Sequence, residues 1–322
     1  MSFKTIGVLT SGGDAPGMNA AVRSVVRTAL SKSIKVFGIH RGYSGLLADD
    51  VEPFSIRGVS DIIHRGGTVL FTARSRTFKT EEGMQQAVET CNRYGIEGLV
   101  TIGGDGTFRG ARDMSHRGIP CVGIPATIDN DIPSSEYAIG YDTAMNTAVE
   151  MVDKLRDTAQ SHERCTVVEV MGRNCGSLAL GVGIAVGATA VIVPEVKYDL
   201  ERNVITTMRQ TQLTGKKHFI IIVAEGVGKV DELAGEIEKS TGIETRATVL
   251  GHVQRGGSPT AHDRITASRL GYRAVELLAE GAGNQVVAVK NGKIVHYDID
   301  KALAMEHSFD AELFKLTHTI SI

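Results

Sequence analysis

Residues 125–133 read Pro-Ala-Thr-Ile-Asp-Asn-Asp-Ile-Pro, with two carboxylates, a hydroxyl and an amide closely spaced after an apolar run. Pro133 ends extended structure, and Pro125 discourages helix just before the acids. The acids therefore belong on a loop at a strand's carboxyl end, where open α/β sheets place ligands. A carboxylate there can take the proton of an attacking hydroxyl, a role that contributes about 10²–10⁴ in rate. The competing reading is a cluster of Asx turns that caps the following helix. Two further stretches, Gly12-Gly13-Asp14 and Gly103-Gly104-Asp105-Gly106, each follow an apolar run and precede a helical pattern. Glycines in that context bring backbone N–H groups to an anion, and the helix start adds positive potential. Asp105 stands where Mg2+ could bridge a carboxylate and a nucleotide's phosphates. Arg74, Arg76 and Lys79 form either a solvated charged loop or the cations that steady a transferring phosphoryl group.

More cations fall beside strand patterns: Arg164, Arg173, Arg246 and Arg255, with Glu225 and His252 nearby. In a chain of formal charge -2, such local clusters suggest a phosphorylated, hydroxyl-bearing ligand. Arg23 and Arg27 stand one helical turn apart, and Arg156, Lys216, Lys217 and His218 add a second basic group. Those residues are ordinary helix solvation or a second phosphate site. The near-zero net charge argues against a nucleic-acid footprint. Neither glycine turn is GxGxxG with an acid about twenty residues on, and neither is a Walker loop. Cys91, Cys121, Cys165 and Cys175 show no metal-ligand spacing and read as reduced thiols. The opening MSFKTIGVLTSGGD has no signal-peptide pattern, and no run reaches membrane-span length. A cytoplasmic protein without membrane or nucleic-acid partners is expected.

The elements that must carry these residues alternate. TIGVL, IKVFGI, GLVTIG, IPCVGI, CTVVEV, TAVIV and FIIIVA read as strands, most of them apolar on both faces. Helical stripes run through Ala21, Val22, Val25, Val26, Ala29 and Leu30, and through Tyr141, Met145, Ala148, Val152 and Leu155. The pattern predicts α/β layers with right-handed crossovers. Asn291-Gly292 between alternating runs predicts a hairpin.

In order and spacing, LTSGGDAPGMNAAVR, IHRGGT, TIGGDGT, TIDNDIP, IGYDTA, DKLRDTAQSHER, EVMGR, IIIVAEGVG and VLGHVQRGGSPTAHDR resemble the bacterial ATP-dependent 6-phosphofructokinases along essentially the whole chain. The resemblance implies two Rossmann-like three-layer domains with mainly parallel sheets and an active site in the cleft between them. The expected domains are residues 1–140 with a returning segment 256–305 for ATP, and 141–255 for fructose 6-phosphate. It implies transfer of the ATP γ-phosphoryl group to the 1-hydroxyl of fructose 6-phosphate. Asp129 would be the base, with Thr127 and Asp131 on its loop. Asp105 would hold Mg2+. Gly13, Gly104, Gly106 and Thr107 would line the nucleotide's phosphates, with Tyr43, Arg74 and Ser75 close by. Arg74 and Arg173 would counter the developing charge. Ile128, Met171, Gly172, Glu225, His252, Val253, Gln254 and Arg255 would hold the sugar phosphate. Arg164 and Arg246 would reach it from a neighbouring subunit of a homotetramer.

Pyrophosphate-using relatives carry aspartate where this chain has Gly106 and lysine where it has Ala126, so ATP is the expected donor. A pyrophosphate-dependent enzyme and a non-catalytic sugar-phosphate sensor are the alternatives. Ala126 departs from the glycine usual in ATP users, and Ser75 from a common cysteine. The resemblance also implies an effector site for ADP or phosphoenolpyruvate at Arg23, Arg27, Arg156, Gly187, Thr189, Thr214, Lys216, Lys217 and His218. Thr189 replaces an acidic metal ligand there and Thr214 a basic residue. Phosphate is therefore expected to bind, and Mg-ADP activation to be weak or altered.

Overall fold

The computed structural model describes residues 3–321. In chain order it runs β1 (Thr5–Ser11), α1 (Met18–Ser31), β2 (Lys35–Ile39), α2 (Tyr43–Ala48), β3 (Val51–Pro53), α3 (Glu81–Arg93), β4 (Gly98–Gly103), α4 (Asp105–Ser115), β5 (Cys121–Pro125) and α5 (Tyr141–Ser161). It continues through β6 (Cys165–Val170), α6 (Ser177–Ala185), β7 (Ala190–Ile192), α7 (Thr206–Leu213), β8 (Phe219–Ala224), α8 (Val230–Thr241) and β9 (Thr245–Val249). The last elements are α9 (Ala261–Ala279), β10 (Gln285–Lys290), β11 (Lys293–Asp298), α10 (Ile299–Ala304) and α11 (Ala311–Thr319). A π-helical turn, Glu201–Ile205, leads into α7.

The chain divides into two units. One takes residues up to Thr127, Asp131–Thr143 and Arg255–His307. The other takes Ile128–Asn130, Ala144–Gln254 and the residues from Ser308 on.

The first unit holds a seven-stranded sheet in the order β11-β10-β5-β4-β1-β2-β3. Its inner strands pair parallel, and the edge strands β3 and β11 pair antiparallel. The chain leaves β1 toward β2 on one side and β4 toward β5 on the other. Strand order therefore reverses between β1 and β4, the switch point where such sheets bind ligands. Ser11 pairs with Gly103, so both glycine turns begin side by side.

The second unit's sheet, β7-β8-β6-β9, is wholly parallel. Its register aligns Val170 with Ala224 and Glu169 with Val249. The loops after β6, β8 and β9 thus share one end. Every residue of β8, FIIIVA, is buried, as a strand covered on both faces requires.

The seven expected strands and both helical stripes are present. Asn291 and Gly292 have positive φ (50° and 70°), the geometry of a two-residue hairpin turn. The cysteines are free and buried. Burial pushes the Cys91 and Cys165 thiols up to about 12, and Cys121 higher still. Among the described residues no helix is long and apolar enough to cross a membrane.

Candidate active site

The two glycine turns need their glycines for different reasons. A Cβ on Gly103 would lie 2.3 Å from the Ser11 carbonyl oxygen and 2.4 Å from Thr107 Oγ1, so only glycine lets β4 close on β1. Thr107 Oγ1 donates to that same Ser11 carbonyl (2.9 Å), tying the first turn of α4 to the end of β1. Gly12 has φ +92°. A Cβ on Gly13 would lie 2.8 Å from Arg255 Nη1, which donates to the Asp14 carbonyl (3.1 Å). Gly104 precedes α4 in extended conformation and gives no side-chain cap. The first N–H groups of α4 are therefore not satisfied by a capping side chain, and an anion can take them.

Asp105 opens α4 half-exposed, and Arg109, one turn on, spans both its oxygens at 2.9 and 3.4 Å. Around Gly106 a Cβ would meet nothing within 4 Å. Arg74 is exposed, and Ser75 Oγ accepts the Phe78 N–H (3.1 Å). Tyr43 lies behind the second glycine turn. Its side chain is buried, stacks on Phe78 (4.2 Å between centroids) and donates to the Thr107 carbonyl (2.7 Å). It braces the first turn of α4 from behind.

After β5 the Ala126 N–H donates to the Gly103 carbonyl (3.0 Å), and Ala126 bridges to Ile139. Its methyl is buried. Thr127 and Ile128 are buried and Asp131 partly so. Asp129 has a side chain with no exposed surface, and its Oδ2 lies 3.1 Å from Arg173 Nε. Burying a carboxylate is costly unless a charge is set against it, and Arg173 supplies one. Arg173 itself has φ 52°, a left-handed conformation that costs a non-glycine residue about 1–3 kcal/mol. The fold holds it there from three sides. Its N–H donates to Glu225 Oε1 (3.0 Å). Gly172 before it has φ +139°. A Cβ on Gly226 would sit 2.3 Å from the Arg173 carbonyl oxygen.

Gln254 lies in the turn after β9. It is fully buried, accepting the Met171 N–H (3.3 Å) and donating to the Gly251 carbonyl (3.0 Å). Its amide locks the loop after β6 to the turn after β9. His252 and Val253 on that turn remain exposed. Arg164 and Arg246 lie at the other end of the sheet, sharing Glu244, with Arg164 Nε at 2.7 Å from its carboxylate. β6 has six residues, and at about 3.3 Å per residue the two arginines stand roughly 20 Å from Met171.

A sequence profile described as Phosphofructokinase matches residues 5–278. The chain belongs to the phosphofructokinase family. It is 53% identical over 320 residues to the ATP-dependent 6-phosphofructokinase of Halalkalibacterium halodurans, covering 99% of this chain and 100% of that protein. It is 55% identical over 319 residues to the Clostridium botulinum protein of the same name, again covering 99% and 100%. Among solved structures, phosphofructokinase from Saccharomyces cerevisiae superposes with TM-score 0.88 at 36% identity, over 93% of this chain and 45% of the yeast chain. A pyrophosphate-dependent phosphofructokinase from Marinobacter aquaeolei shares the fold, with TM-score 0.85 at 21% identity over 96% of this chain and 86% of that one.

In this phosphofructokinase the second basic group is a real cluster within the second unit. Arg156 Nη2 donates to the Val186 carbonyl, and Lys216 Nζ donates to Thr189 Oγ1 (3.1 Å). Gly187 has φ +59°, with open space where a Cβ would be. Burial, then Arg156, lowers the Lys216 pKa. Burial, then Arg156 and Lys216, lowers that of His218. Two neighbours of that site do not share its setting. Lys217 pairs with Glu163 on the surface (2.7 Å), and Thr214 Oγ1 donates to the Thr211 carbonyl (2.8 Å). In the first unit, Arg23 and Arg27 are partly buried on α1, and burial, then Arg27, lowers the Arg23 pKa. The close approach at Gly103 and the Arg109 fork escaped the sequence reading. A glycine ending a buried strand just before another glycine was the available signal for the first.

Proposed function

We propose that this phosphofructokinase transfers the γ-phosphoryl group of ATP to the 1-hydroxyl of fructose 6-phosphate, giving fructose 1,6-bisphosphate and ADP. The observation that carries the mechanism is the buried Asp129 carboxylate set against Arg173 on a loop at a strand's carboxyl end. In the reaction Asp129 accepts the hydroxyl proton as the sugar oxygen bonds to the γ-phosphorus. The bridging bond to the β-phosphate breaks, and ADP carries away its electron pair. The transition state of such a transfer is loose, so positioning and positive charge matter more than covalent help. Arg74 and Arg173 supply that charge, with Asp131 and Thr127 supporting the base. Gly13, Gly104 and Gly106 offer the nucleotide backbone contacts at the paired turns, and Thr107 lines them with its hydroxyl tied to the Ser11 carbonyl. Met171, Gly172, Glu225, His252 and Arg255 orient the sugar phosphate.

Mg2+ suits the donor set at Asp105. A nucleotide-bound magnesium ion uses one or two carboxylates and takes its other ligands from phosphates and water. Among the described residues no group of three or more His, Cys, Asp or Glu could hold a metal, while Asp105 stands half-exposed beside the turns. Asp105 would hold the ion once Arg109 releases an oxygen. When bound, Mg2+ neutralises charge on the β- and γ-phosphates.

Arg164 and Arg246 stand at the sheet end away from Met171, which supports their serving the sugar 6-phosphate of a neighbouring subunit in a homotetramer. A cytoplasmic location accords with the free, buried thiols. A coupled assay with ATP or pyrophosphate as donor tests the reading. Turnover with ATP and none with pyrophosphate is expected; the reverse would overturn the choice of donor.

The basic cluster fits an anionic effector that needs no metal, because Thr189 offers a hydroxyl already bonded to Lys216. A bound phosphate raises the His218 pKa from its depressed value. Binding then takes up a proton and tightens as the pH falls. Phosphoenolpyruvate is therefore expected to bind more tightly at pH 6 than at pH 8, and His218→Gln to flatten that dependence. ADP activation that is strong and requires Mg2+ would contradict this account.

A further inference from the structure

Between Pro53 of β3 and the short turn Thr77–Lys79 the chain forms no helix and no strand, yet Arg74 stands near the end of that segment. A long irregular segment places a side chain only if other groups fix its backbone. Arg74 is exposed and makes no ion pair among the described residues, so its position follows from the loop beneath it.

Two buried side chains hold that loop. Asn19, in the first turn of α1, is 1% exposed. Its Nδ2 donates to the carbonyls of Arg65 (3.0 Å) and Gly66 (3.2 Å), and its Oδ1 accepts the Val69 N–H (2.7 Å). Both ends of the amide are spent on one loop. Thr10, near the carboxyl end of β1, has no exposed surface. Its hydroxyl donates to the Phe71 carbonyl (2.8 Å) and meets Thr68 Oγ1 at 2.8 Å, which in turn accepts the Leu70 N–H (3.2 Å). The protons run one way, from the Leu70 N–H through two hydroxyls to the Phe71 carbonyl, and such a chain is stiffer than its separate bonds. Thr72 Oγ1 then donates to the Gly12 carbonyl (2.7 Å), inside the first glycine turn. A Cβ on Gly66 would lie 2.3 Å from the Gly257 carbonyl oxygen, so the loop is also pressed against the segment that leads into α9.

We propose that Asn19 and Thr10 are positioning residues for Arg74: they fasten residues 65–71 to α1 and β1 and so aim the guanidinium at the transferring phosphoryl group. This rests on the role proposed for Arg74 above. An apolar side chain at either place leaves the loop's carbonyls and N–H groups without their partners, and the loop drifts. A shift of about 1 Å in a charge-stabilising group can cost about 10²-fold in rate.

The test is a double-mutant cycle on the intact enzyme with Asn19→Ala, Thr10→Val and Arg74→Ala. Asn19→Ala and Thr10→Val are each expected to lower kcat about tenfold or more. Combined with Arg74→Ala, each should add less than about twofold, because the group they aim is gone. Full multiplication of the losses, or kcat within about twofold of the parent for both single variants, would overturn the inference. Thr10→Val is nearly isosteric and carries the test if Asn19→Ala does not fold. Arg74→Ala with undiminished turnover would instead strike down the role of Arg74 itself, an outcome visible before any combination is made.

Discussion

Replacing Asp129 with asparagine lowers kcat by about 10²–10⁴ while fructose 6-phosphate still binds, if this carboxylate takes the hydroxyl proton. Asparagine keeps the volume of a side chain that has no exposed surface, so the loop after β5 keeps its packing. What disappears is the basic site and the charge opposite Arg173. Arg173 is half-exposed, so water takes over its solvation and stability changes little. Serine is the smaller alternative and removes the carboxylate altogether; it should give the same loss. Steady-state turnover together with equilibrium binding of the sugar phosphate separates the two effects. Unchanged turnover would remove Asp129 from the chemistry, and lost binding would recast it as a substrate ligand.

The second large effect is expected at Gly106. A Cβ there meets nothing within 4 Å, and the residue lies one position into α4, so alanine should be tolerated in fold and activity. Aspartate brings a charge to the place where a nucleotide's phosphates would lie. Two like charges about 4 Å apart repel by about 4 kcal/mol at an effective dielectric of 20, and partial screening leaves roughly 2–4 kcal/mol. That corresponds to a weakening of ATP binding by roughly thirtyfold to a thousandfold. Gly106→Asp should therefore raise the KM for ATP sharply with an unmoved Tm, while Gly106→Ala changes neither. Equal losses in both variants would mean that the position is needed for the helix and not for the donor.

Much of the architecture was legible because its strands are long apolar runs, and burial on both faces leaves few other readings for VTIG or FIIIVA. The Asn291-Gly292 turn was legible for a local reason, since both residues tolerate positive φ. β3 was not, being three residues with a proline, and α11 carries only a weak pattern, with Leu316 exposed. Within the candidate site, the backbone-defined parts were readable from glycine and proline positions. The direction of a side chain was not. Tyr43 and Gln254 sit in motifs that suggest ligand contact, and both turn inward to hold neighbouring backbone. Asn19 and Thr10 lie in ordinary-looking helix and strand positions, and their partners are about fifty or more residues away in sequence. No local pattern can reveal a bond of that span.

The four cysteines bear on how this protein can be handled. Each is sealed in the interior, and three have thiols held protonated far above neutral pH. Maleimides and mild oxidants attack thiolate, so the native chain offers them almost no target. A fluorophore could then be attached at one introduced cysteine on the segment leading to Arg74, with every natural cysteine left in place.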